Sequence, residues 1–256
     1  CSSRGLGDVY KRQIPDELIT AVADARHVTV LTGAGVSAES GVPTFREAQA
    51  GLWAQYDPTE LATPEAFAAN PTLVWDWYQF RRKLILGVEP NPGHVALAKL
   101  DSLVPGMTLV TQNVDGLHAR AGSTDVIEFH GNLFANRCFA EEKVVTGRES
   151  KQLPFCPDCG APLRPGVVWF GEASPEAARD RAFQAARDCD VFFSVGTSSL
   201  VYPAAGLIEI AREAGATLVE VNPEPTELAA TLDFALAGPS GELLPALVKR
   251  LNDHKS

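Results

Sequence analysis

The sequence predicts an α/β protein built on a Rossmann-like parallel sheet. Two observations predict this class: short apolar segments recur along the chain, and segments with helical periodicity lie between them. Strands of a parallel sheet that is covered by helices on both faces are nearly continuous in hydrophobic residues. The predicted strands are residues 27–32, 107–111, 126–129, 190–195 and 216–221.

Capping residues and prolines mark where helices begin between these strands. Thr63–Pro64 and Asn70–Pro71 each join an N-cap residue to a proline in the first turn, and Gly87 follows the second of these helices. Besides the helix that begins at Thr63, the predicted helices are residues 14–26, 70–86, 94–103, 175–187, 203–214 and 240–251.

Two stretches interrupt the alternation of strands and helices. Residues 46–92 are helical and aromatic, and residues 131–170 are rich in Cys, Pro and Gly. We expect both to be insertions that form a smaller, helical and zinc-ribbon-like module. The sheet domain then comprises residues 14–45, 93–130 and 171–256, and we expect the chemistry in the cleft between the two parts.

Composition narrows the classes of function. The chain has 256 residues, 45% of them hydrophobic, and a formal net charge of -10 at pH 7. The hydrophobic content is enough for a sizeable core, whereas the acidic balance disfavours binding to nucleic acid or to an anionic membrane. No apolar run approaches the roughly 18 residues of a spanning helix. We therefore expect a cytoplasmic protein, and a monomer, that binds neither nucleic acid nor a membrane.

The first 13 residues differ from the rest of the chain. They lack apolar periodicity and resemble the translated adapter of a transposon-based sequencing library. We expect residues 1–13 to be non-native and leave them out of the fold prediction, the alternative being a disordered arm.

A glycine-rich segment follows the first predicted strand. The letters GAGVSA at residues 33–38 match the G-x-G-x-x-G/A pattern, in which glycines let backbone N–H groups approach a pyrophosphate. A tight strand-to-helix turn is the alternative explanation. Gly41 and Pro43 exclude the long helix that a dehydrogenase places after this loop, so hydride transfer is disfavoured.

The motifs that follow resemble those of one known family. The segment GAGVSAESGVPTFR at residues 33–46 resembles the signature loop of sirtuins. In the family's order come QNVD at 112–115, HGN at 130–132, VWFGE at 168–172, GTS at 196–198 and VNPE at 221–224. The resemblance covers residues 14–252 and implies an NAD-dependent protein-lysine deacylase.

The resemblance also implies the residues that bind NAD. They lie in the signature loop, in the QNVD motif and at the ends of later strands, where turn formation is the alternative role. The predicted set is Gly33, Ala34, Gly35, Ser37, Ala38, Glu39, Thr44, Phe45, Arg46, Trp53, Gln112, Asn113, Val114, Asp115, Gly196, Thr197, Ser198, Asn222, Pro223, Glu224 and Ser240.

Three residues are predicted to be catalytic: His130, Asn113 and Asp115. His130 follows a predicted strand, and an imidazole is the usual general base near pH 7. His118 is the competing histidine, but it lies in a short helical stretch without the Gly-Asn context. For Asp115, capping of that short helix is the alternative role.

In sirtuins, the acyl-lysine oxygen attacks the ribose carbon that bears nicotinamide, and a histidine then deprotonates a ribose hydroxyl. The products are lysine, nicotinamide and an O-acyl-ADP-ribose. The expected partners are acyl-lysine proteins or peptides, bound by strand addition to Val168, Trp169, Phe170, Gly171 and Glu172. A plain deacetylase, an NAD glycohydrolase and a catalytically silent NAD or ADP-ribose sensor are the alternatives.

A Tyr-x-x-Arg pair predicts the acyl preference. Tyr78 and Arg81 are three residues apart on a predicted helix and therefore share one face. A phenol and a guanidinium together suit a carboxylate. Spacing alone favours an aromatic core helix with solvated arginines, but the sirtuin subgroup that removes succinyl, malonyl and glutaryl groups carries this pair. Ala50 and Ala54 are compatible with the same pocket.

The cysteines predict a structural metal site. Cys156 and Cys159 form a Cys-x-x-Cys pair, and Cys138 precedes them, whereas Cys189 lies apart. The family's second Cys-x-x-Cys is incomplete, because Glu141 stands where the fourth cysteine is expected. Zinc accepts oxygen ligands, so Cys138, Cys156 and Cys159 are predicted zinc ligands with Glu141 as a candidate fourth. Three reduced thiols in a packed loop are the alternative.

Overall fold

The computed structural model describes residues 14–43, 56–146 and 150–255. Its strands are β1 (Val28–Thr32), β2 (Met107–Thr111), β3 (Val126–Glu128), β4 (Gly131–Cys138), β5 (Leu163–Val167), β6 (Val191–Val195), β7 (Thr217–Asn222) and β8 (Phe234–Ala237). Six of them form the parallel main sheet in the order β3-β2-β1-β6-β7-β8, and β4 and β5 form a separate antiparallel pair. The predicted parallel α/β architecture is confirmed.

The helices begin where the capping residues predict. The Thr63 and Asn70 side chains accept hydrogen bonds from the backbone N–H groups of Ala66 and Leu73, which satisfies amides that a helix N-terminus leaves free. The helices are α1 (Asp16–Asp24), α2 (Gly35–Ala38), α3 (Pro58–Leu61), α4 (Pro64–Ala69), α5 (Pro71–Leu86), α6 (Pro92–Asp101), α7 (Leu117–Arg120), α8 (Glu176–Asp188), α9 (Leu207–Glu213) and α10 (Ser240–Lys255).

Helices bury both faces of the main sheet. Every residue of the central strands β1 and β6 is buried. On one face, apolar side chains of α1, α6 and α10 pack on residues such as Val30 and Phe193. On the other face, α8 and α9 pack on Leu31 and Phe192. Double coverage explains why most residues of these strands are apolar.

The two insertions pack against each other beside the sheet. Phe67 and Trp77 from the helical insertion share a buried cluster with Leu133 of β4 and with Trp169, which follows β5. The Arg82 guanidinium strengthens this contact by donating to the carbonyl oxygen of Leu133 at 2.7 Å. The smaller module therefore has a core of its own.

Several elements differ from the sequence prediction. Strands β4, β5 and β8 and the short helix α3 were not predicted, and a 3-10 turn at Ala204–Gly206 precedes α9. Within the described parts of the chain, none of the helices is both long and apolar enough to cross a membrane.

Candidate active site

Most of the residues predicted to bind NAD lie at the carboxyl edge of the main sheet. They follow β1, β2, β6 and β7, which are neighbours in the order β2-β1-β6-β7, and His130 follows β3 at the same edge. From β1 the chain adds β2 and β3 on one side of β1, and later adds β6, β7 and β8 on its other side. The direction in which strands are added therefore reverses between β1 and β6. Ligands of open α/β sheets bind at such a switch point.

The glycine-rich loop owes its glycines to a close approach of two loops. A Cβ added to Gly33 or Gly35 would lie 2.8 or 2.7 Å from the carbonyl oxygen of Gly196. That oxygen accepts a hydrogen bond from the Gly35 N–H at 2.8 Å. The Gly35 N–H is therefore hydrogen-bonded within the protein. This bond holds the loop after β1 against the loop after β6, and Ala34 is exposed at the tip of the loop after β1.

Ser37 lies at the centre of a buried hydrogen-bond network. Its hydroxyl donates to the carboxylate of Asp115 at 2.7 Å and accepts from the side-chain amide of Asn113 at 3.1 Å. The Asn91 N–H donates to Nδ1 of His94, so the neutral ring carries its proton on Nε2, which lies 3.3 Å from the Ser37 hydroxyl. Both predicted catalytic side chains on the β2 loop are therefore held by one serine.

His118 is buried beneath this network. Its Nε2 lies 2.9 Å from the Thr32 hydroxyl, which donates in turn to Thr111. Burial, reinforced by the neighbouring His94, lowers the pKa of His118 to about 3. A neutral, enclosed ring of this kind supports the structure and is poorly suited to accept a proton from a ligand.

His130 has the geometry of a general base. Its Nδ1 lies 3.2 Å from the carbonyl oxygen of Gln112, and because a carbonyl only accepts, Nδ1 carries the proton of the neutral ring. Nε2 is then left with its lone pair free. Burial lowers the pKa of His130 below its ordinary value, partly offset by the bond to Gln112. The half-buried ring is therefore unprotonated at neutral pH.

Further polar contacts join the ends of β2, β6 and β7. Thr197 accepts a hydrogen bond from the Gln112 side chain at 3.1 Å through its hydroxyl and one from the Asn222 side chain at 3.1 Å through its carbonyl oxygen. Amides and hydroxyls of this kind suit the ribose and amide groups of a dinucleotide. The predicted residues Ser198, Pro223 and Glu224 are exposed beside them.

Tyr78 and Arg81 lie together in the smaller module. The Tyr78 side chain is only 3% exposed, and its hydroxyl accepts a hydrogen bond from the Trp169 indole N–H at 2.9 Å. Burial raises the pKa of Tyr78 to about 12, although the positive charge of Arg81 opposes this. The Arg81 guanidinium lies 5.2 Å from the centre of the Trp77 ring. A neutral phenol and a cation thus share one face of α5.

Comparison with known proteins identifies the family. The Sir2 family model matches residues 33–203. The chain belongs to the Sir2 family. It is 51% identical over 249 residues to the NAD-dependent protein deacylase of Methylococcus capsulatus, covering 93% of this chain and 98% of that protein. The family predicted from the motifs is confirmed.

Two solved structures show that the Sir2 fold extends over nearly the whole chain. A Sir2 homolog in complex with NAD has a TM-score of 0.89 at 43% identity, covering 95% of this chain and 96% of that one. A Sir2 protein bound to an acetylated peptide has a TM-score of 0.79 at 30% identity, covering 93% and 98%.

Some residues predicted to bind NAD contact other parts of the protein or are not described. The Glu39 carboxylate accepts from the Ser240 hydroxyl at 3.1 Å and from the Gly241 N–H at 2.8 Å, so these two predicted residues contact each other at the start of α10. Ala38 is exposed and Val114 packs against the smaller module. Thr44, Phe45, Arg46, Ala50, Trp53 and Ala54 lie outside the described residues.

The set of site residues predicted from the sequence did not include His94, Asn91 or Thr32. Their side chains contact residues in and beneath the Sir2 site through buried hydrogen bonds. Asn91 caps α6 and its side chain also donates to the carbonyl oxygen of Val36 at 2.7 Å. A signal for the cap was present, because Asn91–Pro92 repeats the pattern of Asn70–Pro71. Nothing in the sequence indicated that His94 contacts Ser37.

The stretch from Val168 to Glu172 is only partly available to a peptide. Trp169 is 2% exposed, and the Glu172 carboxylate pairs with Arg164 and accepts from the Trp169 N–H at 2.8 Å. Phe170 and Gly171 are exposed at the surface. The side chains of Trp169 and Glu172 therefore face inward, and strand addition remains a proposal for the backbone of this stretch.

The predicted zinc ligands come together. Ligand atoms of Cys138, Glu141, Cys156 and Cys159 all lie within 4.8 Å of one another, which suits a tetrahedral ion. The set contains three thiols and one carboxylate, and Lys143 lies 2.7 Å from the Glu141 carboxylate. These residues fit a structural zinc ion that holds the ends of β4 and β5 together.

Proposed function

We propose that this Sir2 family member is an NAD-dependent protein-lysine deacylase that prefers acyl groups ending in a carboxylate, such as succinyl and malonyl. The observation that carries the acyl preference is the buried phenol of Tyr78 beside the half-buried, charged Arg81 in the smaller module. Deacetylation is a weaker activity of the same site.

NAD fits the polar groups at the sheet edge. Bound there, NAD supplies an electrophilic ribose carbon, because nicotinamide is a good leaving group, and an ADP-ribose that accepts the acyl group. Asn113 and Asp115, both held by Ser37, orient the ribose, and Gln112 lies next to them. A fixed network costs no rearrangement during the reaction, which is how preorganised polar groups accelerate it.

His130 is the general base in this proposal. Its Nδ1–H is held by Gln112, so the free Nε2 accepts the proton of a ribose hydroxyl. The bond between His130 and Gln112 fixes the tautomer, and the lowered pKa keeps the base unprotonated. With NAD held by Asn113 and Asp115, nicotinamide would leave, the acyl group would pass to ADP-ribose, and a water molecule would complete the release of free lysine.

The acyl carboxylate is recognised by charge and by hydrogen bonding. Arg81 supplies a half-buried cation beside the buried Tyr78, where electrostatic attraction is stronger than at the fully exposed surface. Its neighbour Arg82 is not available, because it donates to Leu133 and Asn136. An acetyl group carries no charge and gains nothing from Arg81.

The test compares succinyl-lysine and acetyl-lysine peptides with the Arg81→Met variant. Methionine keeps much of the side-chain length and removes the cation. We expect the ratio of kcat/KM for succinyl over acetyl to fall by about 100-fold, as for a buried charged hydrogen bond. Lys83→Met, which removes an exposed cation from the same helix, is the matched control.

Equal loss of both activities in an Arg81→Met protein that still binds NAD would contradict the acyl preference. Release of nicotinamide without any acyl-lysine peptide would instead favour an NAD glycohydrolase.

A further inference from the structure

We propose that Trp169 is a positioning residue that turns the Tyr78 hydroxyl toward the acyl carboxylate and so helps to set the acyl preference. This inference rests on the proposed function and adds to it a residue outside the Tyr-x-x-Arg pair. It is carried by one hydrogen bond and by the contacts that hold the Trp169 ring.

The hydrogen bond fixes the direction of the Tyr78 phenol. An indole N–H only donates, so at 2.9 Å the Tyr78 oxygen must be the acceptor. The phenol proton is then directed away from Trp169. Because the raised pKa keeps Tyr78 protonated at neutral pH, that proton is available as a donor. A carboxylate accepts such a bond, whereas the methyl group of an acetyl does not.

Trp169 is itself held firmly. The Arg164 guanidinium lies 3.3 Å from the centre of its ring, and the Glu172 carboxylate accepts from its backbone N–H at 2.8 Å. Arg164 and Glu172 also form an ion pair with each other. The Phe67 ring packs on another side at 5.3 Å between centroids. The indole therefore has little freedom to turn away from Tyr78.

The arrangement connects two predicted functions of one loop. Trp169 belongs to the stretch expected to bind the peptide backbone, yet its side chain points into the module and contacts the acyl site. Since Val168, the residue before it, is bonded to the His130 carbonyl oxygen at 2.8 Å, the loop spans both sites. The acyl-recognising phenol is thus oriented from the loop that adjoins the base.

The Trp169→Phe variant tests this role because it keeps an aromatic ring and removes the indole donor. We expect the succinyl-to-acetyl ratio of kcat/KM to fall about tenfold, mainly through a higher KM for the succinyl peptide, as for loss of one hydrogen bond to a charged group. The KM for NAD should be unchanged, since the sheet edge is not touched.

Trp75→Phe is the matched control. Trp75 is also fully buried on α5, and among the described residues its indole N–H has no hydrogen-bond partner. The two variants remove the same atoms, so a general loss of packing affects both, whereas only Trp169→Phe should change the acyl ratio. Equal changes in the two variants would overturn the positioning role.

A second measurement is independent of activity and of the folding of Trp169→Phe. The four tryptophans give four indole signals in a proton–nitrogen NMR spectrum. In the Tyr78→Phe variant, the indole proton signal of Trp169 should move upfield because its acceptor is gone. An unmoved signal would overturn the inference.

The outcomes separate this inference from the proposed function. A wild-type enzyme that does not prefer succinyl over acetyl overturns the proposed function and the positioning role together. A wild-type enzyme with that preference, which Trp169→Phe retains in full, overturns the positioning role alone.

Discussion

The backbone N–H of Val168 donates to the carbonyl oxygen of His130 at 2.8 Å. This bond continues the pairing of Gly131 with Val167 at the start of the β4–β5 ribbon. His130, the proposed base, therefore lies where the main sheet passes into the smaller module, and Trp169 of the proposed acyl site follows Val168 directly.

Ser37→Ala should impair catalysis while the fold is retained. The hydroxyl joins Asn113 and Asp115, so its removal leaves a buried carboxylate and an amide with one partner fewer. Loss of such bonds costs about 1.5–3 kcal/mol, which corresponds to a roughly 10- to 100-fold lower kcat/KM. Steady-state kinetics with a thermal-unfolding control measures this. Unchanged kinetics would show that the network does not orient the site.

The pH dependence of kcat/KM should report His130. The base must be unprotonated, and its pKa lies below the ordinary histidine value of about 6.5. Activity should therefore rise on the acid side, with its inflection below about pH 6.5, and be level from about pH 7 to 8. His130→Ala should lose about 100-fold or more in kcat. An inflection above about pH 7.5 would contradict the assignment.

The buried His118 should make stability depend on pH. Its pKa of about 3 is far below the unfolded value, so between these values the unfolded chain binds more protons and stability falls as pH falls. His118 alone should contribute about 2 kcal/mol of lost stability between about pH 8 and pH 5. Urea unfolding of wild type and His118→Asn at both pH values measures this. Identical pH slopes would show that His118 protonates freely in the folded protein.

Glu141 should act as the fourth ligand of a structural zinc ion. Glu141→Gln removes the anionic oxygen, so zinc should bind at least about tenfold more weakly, whereas Glu141→Cys should bind more tightly because zinc favours thiolates. Competition with a chromophoric chelator measures both affinities. Glu142→Gln, which changes an exposed neighbour, is the control. Equal zinc affinity in Glu141→Gln and Glu142→Gln would exclude Glu141 as a ligand.

The inner strands of the main sheet were predictable because they are buried on both faces, whereas the edge strand β8, in which only Leu236 is buried, was not. Strands such as Val191–Val195 contain almost only apolar residues, and prolines and capping residues separate them from the helices. Strands β4 and β5 gave no such signal. Buried and exposed residues of β4 do not alternate regularly, because the strand has a bulge between Asn132 and Asn136. Strand β5 contains Pro165 and Gly166. Proline and glycine disfavour strands in isolation.

The site was predictable from motifs, but the contacts within it were not. Sequence places Ser37, Asn113 and Asp115 at strand ends, yet only the order of strands brings β1 and β2 side by side. The contact between Tyr78 and Trp169 was likewise not predictable from the sequence, because the two residues are 91 positions apart. Sequence spacing explains why Tyr78 and Arg81 share a helix face, while the indole that orients the phenol comes from a distant loop.

The most direct test of the proposed function is mass spectrometry of a succinyl-lysine peptide incubated with the protein, with and without NAD. We expect free lysine to form only with NAD, together with equal amounts of nicotinamide and O-succinyl-ADP-ribose, and faster than from the matching acetyl peptide. A succinyl peptide that remains intact in the presence of NAD, while the acetyl peptide is processed, would contradict the proposed acyl preference.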